Sequence, residues 1–305
     1  MDVAAVYGAS FVMILLSVAY YILIERKILG AIQTRHGPNK PSLAGVLLPL
    51  ADGLKLILKE VSLPSVVNSS LFLLGPLLIF LIYFFSWAVV PYQNGYAFMY
   101  WGCLLFLCCC GVSVFGVIVC GWSSGGSYSL LGGVRASAQS VSYEAVFGTA
   151  LYCPLIFVGS FDFYEVDGLS VIYSFCMGEV VLIWFVSCIA ELNRVPFDFV
   201  EGESELVSGY MVEYGGVGFT LLILGEYGAL IVVSMVTSYL FFGGLLDVKF
   251  FSIFTVLGGV VVSLVFIFLR GCLPRYRYDK LMSFCWTLLL PLISGMLLLS
   301  IAFSV

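Results

Sequence analysis

Apolar runs of about twenty residues recur along almost the whole chain, and that pattern leaves few folds open. They fall near 3–24, 71–90, 98–120, 136–158, 170–189, 216–242, 251–269 and 283–303. Each has the length an α-helix needs to cross a bilayer, at about 1.5 Å of rise per residue. Lipid offers the backbone no hydrogen bonds, so spans of this length are helical. Hydrophobic residues make up 62% of the chain and charged residues 10%, with a mean hydropathy of +1.11. That balance excludes a water-soluble globule. The expectation is an all-α integral membrane protein: a single membrane domain, 1–305, with eight transmembrane helices.

The charges supply an independent reading. With eight spans, the loops at 25–70, 121–135, 190–215 and 270–282 share one side. They hold twelve of the thirteen basic residues, leaving Lys249 on the other side. The positive-inside rule places these loops in the cytoplasm or matrix and both termini outside. No cleavable signal or Arg-rich transit segment is legible before the first span. A net charge of −5 argues against nucleic acid as a partner.

In the first inside loop, Glu25, Arg26 and Lys27 read as the cap of the first span, and Gly37-Pro38-Asn39 as a turn. After Ser42, apolar Leu43, Val46, Leu47, Leu50, Leu54, Ile57 and Leu58 alternate with Asp52, Lys55 and Lys59. This predicts an amphipathic helix lying in the membrane interface after the first span, with Pro49 bending it or marking its start. A plain surface anchor would read the same way. His36, beside Arg35, reads as a solvated loop residue whose titration falls near neutrality. Most of the ten cysteines sit in or beside apolar runs, no C-x-x-C pair occurs and His36 is the only histidine. They read as small buried hydrophobes, and no zinc or iron–sulfur site is expected. No G-x-x-x-x-G-K-[ST] or G-x-G-x-x-G loop occurs, so neither nucleotide nor flavin binding is expected of this chain.

Acidic residues concentrate in one place. Glu191, Asp198, Glu201, Glu203, Glu205 and Glu213 are six of the chain's eighteen. If Pro196 opens a helix, Asp198, Glu201 and Glu205 share one face, and mutual repulsion would raise some of their pKa values. An acidic, solvated loop is the alternative. Glu144 and Glu226 fall inside spans four and six. A charge at mid-bilayer costs about 2.5–3.5 kcal/mol on insertion scales, so each is expected to face a partner or water. Glu205, Glu213, Glu226 and Glu144 would then lead from the inside surface into the bilayer. The alternative is isolated neutral acids hydrogen-bonded to Tyr143, Tyr214 or Tyr227. Glu179 reads as mid-way along the fifth span, either extending this path or only packing. The outside loop at 161–168 reads as a solvated hairpin. Arg270, Arg275, Arg277 and Lys280 read as a membrane anchor, a countercharge to the acidic loop, or both.

Four segments carry a resemblance: ERKILGAIQTRHGPNKPSLAGVLLPLADGLKLILKE from Glu25, GWSSGGSYSLLGGVRASAQSVSYE from Gly121, AELNRVPFDFVEGESELVSGYMVEYG from Ala190 and LRGCLPRYRYDKLMSFCW from Leu269. They strongly resemble respiratory complex I subunit 1, in the right order and over nearly the whole chain. The resemblance implies an eight-span subunit of proton-pumping NADH:ubiquinone oxidoreductase, in which the first span, the 43–59 helix and the sixth span frame the entrance of a ubiquinone tunnel. Arg26, Arg35, Asp52, Arg194, Phe197, Arg275 and Arg277 match positions that line or support that tunnel. Glu144, Glu191, Asp198, Glu201, Glu203, Glu205, Glu213 and Glu226 match acids that couple quinone chemistry to proton transfer. It implies ubiquinone as substrate, with flavin and iron–sulfur clusters held by other subunits. The implied partners are the peripheral-arm quinone-site and iron–sulfur subunits, adjacent small and antiporter-like membrane subunits, and lipids.

Thr287 stands after Trp286 where the family often has Lys, and Pro41-Ser42 replaces a more usual Gly-containing step. The abundance of Phe, Cys, Tyr, Val and Gly points to T- and G-rich codons, hence a mitochondrial inner membrane protein, with the bacterial plasma membrane as alternative. The homologous subunit of a membrane-bound hydrogenase is the rival within the resemblance. A stand-alone ion transporter is disfavoured by the lack of an internal repeat, and a purely structural anchor by the buried glutamates.

Overall fold

The first predicted span lies within a single 30-residue helix, α1 (Val3–Ile32). The computed structural model describes residues 3–40, 43–61, 63–65, 67–90, 100–198, 208–243 and 251–304. Among the described residues the chain is helical with no strand. After α1 come the short α2 (Leu48–Leu58), α3 (Ser69–Ser86), α4 (Gly102–Ser123), α5 (Ser127–Val158), α6 (Phe163–Cys176) and α7 (Gly178–Glu191). They are followed by α8 (Gly216–Phe241), α9 (Phe251–Cys272), α10 (Tyr278–Phe284) and α11 (Leu290–Ser304). A five-residue π turn, Cys285–Leu289, joins α10 to α11.

Pro49 opens α2 rather than bending it; its missing N–H costs nothing in the first turn. No residue of α2 is buried, and Leu50, Leu54, Ile57 and Leu58 are exposed, as an interfacial helix requires. The start of α8 meets the end of α2. Gly216 has φ +55°, and a Cβ there would come 3.1 Å from the Lys59 carbonyl oxygen. Both the turn and the close approach call for glycine.

Small residues set the helix spacing, as expected where lipid gives apolar side chains no preference for the interior. Gly121 of α4 and Gly133 of α5 face each other so closely that a Cβ on Gly121 would lie 3.0 Å from the Gly133 Cα. That contact corrects the predicted inside loop at 121–135. Its glycines and serines read as a loop but serve helix packing, and the connection shrinks to the stretch between Ser123 and Ser127. The core lies where α5, α7 and α8 converge: Phe147 stacks on Trp184 at 4.3 Å, and Phe241 packs against the same indole.

Two further expectations are corrected. The fifth span is not a rod, because α6 and α7 meet at 108°. Met177 leaves the helical region there (φ −126°, ψ 49°), so Glu179 stands exposed at the break instead of mid-span. The 161–168 stretch is not a solvated hairpin either. It starts α6, and Asp167 is fully buried against Gly243. Six helices are long and apolar enough to cross a membrane, or seven spans if the bent pair counts as one; that measure covers only the described residues. This is an all-α, multi-pass membrane protein.

Candidate functional site: a cavity and a line of buried acids

A cavity of about 620 Å³ lies between α1, α2 and α8, with Arg270 of α9 at its edge. Leu48, Leu56, Phe219, Ile223 and Leu224 give it apolar walls, and Glu25, Arg26, Asp52 and Tyr227 a polar end. Arg26 donates to Asp52 at 3.1 Å across the α1–α2 boundary, and both side chains are about half exposed. Deeper, the carboxylate of Glu25 is buried between two arginines. Arg270 Nη1 hydrogen-bonds Glu25 Oε1, and Arg194 Nη1 lies 3.7 Å from the same oxygen. Arg194 also lies over the Tyr227 ring, 4.2 Å from its centroid. Burial alone would lower the pKa of Arg194, but Tyr227, Glu25 and Glu226 more than reverse that effect and raise it. The guanidinium stays charged because its neighbours are anionic or electron-rich.

The acids continue from this point. Glu226 follows the cavity into α8, and its Oε1 accepts a 2.6 Å hydrogen bond from Tyr210, in the single 3₁₀ turn Gly209–Met211. Glu191, at the end of α7, is buried, and Glu144 of α5 is near enough to act on it electrostatically. The Glu144 carboxylate lies over Gly111 of α4, where a Cβ would come 2.7 Å from Oε1. Glu213 is half-buried beside Gly126, at the turn between α4 and α5. The tyrosine partners foreseen for these acids are corrected. Tyr210 takes Glu226, whereas Tyr143 donates to the Leu281 carbonyl and Tyr214 pairs with the Ser123 hydroxyl.

A second polar cluster closes the acidic loop's start. Arg275 Nη2 bonds Asp198 at 3.3 Å, and the Tyr276 N–H donates to the Pro196 carbonyl at 3.0 Å. Phe197 is buried between the rings of Tyr143 and Tyr276. Pro196 therefore does not open a helix: residues 195–197 turn, and their backbone bonds go to neighbouring elements. Glu201, Glu203 and Glu205 lie outside the described residues.

Of the residues expected at the cavity, Arg26 and Asp52 line it and Arg194 stands behind its polar end. Phe197 and Arg275 belong to the second cluster. Arg35 is exposed and holds the turn after α1 through its N–H to Gly30, and Arg277 pairs with Asp279 in solvent. Sequence reasoning missed Glu25, Arg270 and Tyr210. Glu25 had a usable signal: Val18, Tyr21 and Glu25 recur at helical spacing and all are buried. Among the described residues, no group of three or more His, Cys, Asp or Glu could hold a metal.

The chain matches the NADH dehydrogenase family over residues 6–301. It is 44% identical over 283 residues to NADH-ubiquinone oxidoreductase chain 1 of Mytilus edulis, covering 92% of this chain and 91% of the relative. It belongs to the complex I subunit 1 family. Another member, from Artemia franciscana, is 44% identical over 287 residues, with 92% of both chains covered. The similarity to the complex I subunit 1 family extends to bacteria. An NADH-quinone oxidoreductase membrane component of Rhodospirillum rubrum is 40% identical over 288 residues, covering 90% of this chain and 86% of the relative.

Proposed function

We propose that this chain is the membrane subunit of a proton-pumping NADH:ubiquinone oxidoreductase that admits ubiquinone and couples its reduction to proton movement. The observation that carries the reading is the 620 Å³ cavity between α1, α2 and α8. Its apolar walls suit an isoprenoid tail, and its charged end suits the polar headgroup. The exposed apolar residues of α2 provide an entrance from the lipid. In this reading α1 is a crossing too, and with the bent α6–α7 pair the spans number eight.

Coupling runs through the acids. Quinone movement or reduction shifts the loop that starts at Glu191, and the proton affinities of its carboxylates change with it. Glu213, Glu226, Glu191 and Glu144 then pass protons across α8, α7 and α5 toward an adjacent membrane subunit. Electrons arrive from an iron–sulfur cluster in a peripheral-arm subunit, and flavin is held further away. The site is the mitochondrial inner membrane.

The test is to solubilise native membranes gently, isolate the complex that contains this chain, and assay inhibitor-sensitive NADH:quinone activity with its flavin content. Co-migration with flavin and that activity is the expected result; nickel without flavin, or the chain migrating alone, overturns the assignment. Within the confirmed complex, Glu203→Gln and Glu205→Gln are expected to disturb quinone reduction or its coupling to pumping. Unchanged turnover and unchanged pumping in both would sink the role of the loop.

A further inference from the structure

Gln139 is wholly buried on α5, one turn before Tyr143 and five residues before Glu144. Its Nε2 donates to the carbonyl oxygens of Ala190 and Phe197, each at 3.0 Å. A primary amide nitrogen carries two hydrogens, so both are engaged. One holds the last turn of α7 and the other holds the chain beyond Pro196. Between these two points lie Glu191 and Arg194. The first belongs to the line of acids, and the second to the cluster at the end of the cavity. The turn has its own backbone bonds, from Asn193 to Ala190, Arg194 to Ile189 and Phe197 to Arg194. Those bonds fix its shape. Gln139 fixes its place against the helix that carries Glu144.

We infer that Gln139 is the positioning residue through which the 190–197 turn and α5 move as one body. A displacement of Arg194 at the cavity then reaches Glu144 and Glu191 instead of being absorbed in the loop. The inference rests on the proposed coupling of quinone reduction to proton transfer. Few side chains fit the role. Asparagine is one methylene too short to reach both carbonyls, methionine fills the space but has no donor, and glutamate has one O–H when neutral and none when ionised. Without the amide, two buried carbonyls lose a donor and the turn is free to settle elsewhere.

The experiment uses the assembled complex in sealed membrane vesicles carrying Gln139→Met. Three quantities are compared: NADH oxidation by an artificial acceptor upstream of quinone, quinone reduction, and protons moved per electron. The upstream activity is expected to match wild type, while the proton-to-electron ratio falls by about twofold or more. Gln139→Glu is measured alongside across assay pH. Its ratio, relative to wild type, is expected to recover in part as the pH is lowered and the acid form regains one donor. A residue with only a structural role would reduce the amount of complex and all activities together, with the ratio unchanged at every pH; that result overturns the inference. If the Met variant does not assemble, the pH response of the Glu variant decides. Glu191→Gln separates the two levels. Unchanged pumping there defeats the proton route itself, whereas lowered pumping there with an unchanged ratio in the Gln139 variants defeats only the positioning role.

Discussion

Tyr210 reaches from the 3₁₀ turn that precedes α8 to Glu226 in the middle of that helix, donating to Oε1 at 2.6 Å. The residues are 16 apart in sequence, and the bond ties the far end of the acidic loop to the carboxylate beyond the cavity. Tyr210→Phe keeps the ring and deletes the donor. A lost hydrogen bond to a buried group costs about 1–3 kcal/mol. The variant is expected to inactivate at a lower temperature and to pump fewer protons per electron, which paired thermal and vesicle assays measure.

Glu25 is expected to be the least replaceable of the newly recognised residues. Glu25→Ala would leave Arg194 and Arg270 facing each other without their shared anion. Removing one partner of a buried ion pair costs about 3–5 kcal/mol. The predicted outcome is little assembled complex on a native gel, with Glu25→Asp retaining more than Glu25→Ala. Equal amounts of complex in the two variants would contradict the role of the shared carboxylate.

The Arg26–Asp52 pair should behave differently. Both side chains are about half exposed, and pairs of that kind contribute about 0–1 kcal/mol. Asp52→Asn is expected to assemble normally and inactivate near the wild-type temperature, while its KM for quinone rises. Steady-state kinetics with quinones of different tail length check this.

Filling the cavity tests its use without touching a charge. Leu56→Trp or Ile223→Trp would narrow the space between α2 and α8. Long-tailed quinone is expected to lose more kcat/KM than a short-tailed analogue, with electron entry from NADH unaffected. Equal kinetics for both quinones in both variants would remove the cavity from the substrate path.

The cluster behind the cavity also predicts an absence of pH response. Arg194 has a raised folded-state pKa. Its contribution to stability is therefore full below the unfolded arginine value and lost only as pH rises through the higher folded one, above about 12. Arg194→His, with an ordinary pKa of about 6.5, is expected to introduce a loss of thermal stability between about pH 6 and 8 that wild type lacks.

The spans were legible because bilayer thickness fixes their length, and α2 because its apolar spacing and Pro49 mark an interfacial helix. The loops were harder. Gly121, Gly132 and Gly133 have the composition of a turn, yet they serve helix contact, which depends on a neighbour that no local pattern reveals. The 108° break at Met177 has no proline to announce it. Arg26, Asp52 and Arg194 were legible as charges beside apolar runs. Glu25 was hidden by its own neighbours, since Arg26 and Lys27 made it look like part of a solvated cap. Tyr210 was missed because the partner of Glu226 was sought within a few residues, and the fold supplies it from the loop before the helix.

Gly111 and Glu144 share a single volume, because the carboxylate occupies the space that any side chain at position 111 would fill. The two positions are thus not independent in evolution. A lineage that enlarges residue 111 must first shorten, rotate or relocate the acid at 144, or let α4 and α5 drift apart. Drift in the apolar run of α4 is therefore policed by a carboxylate on another helix.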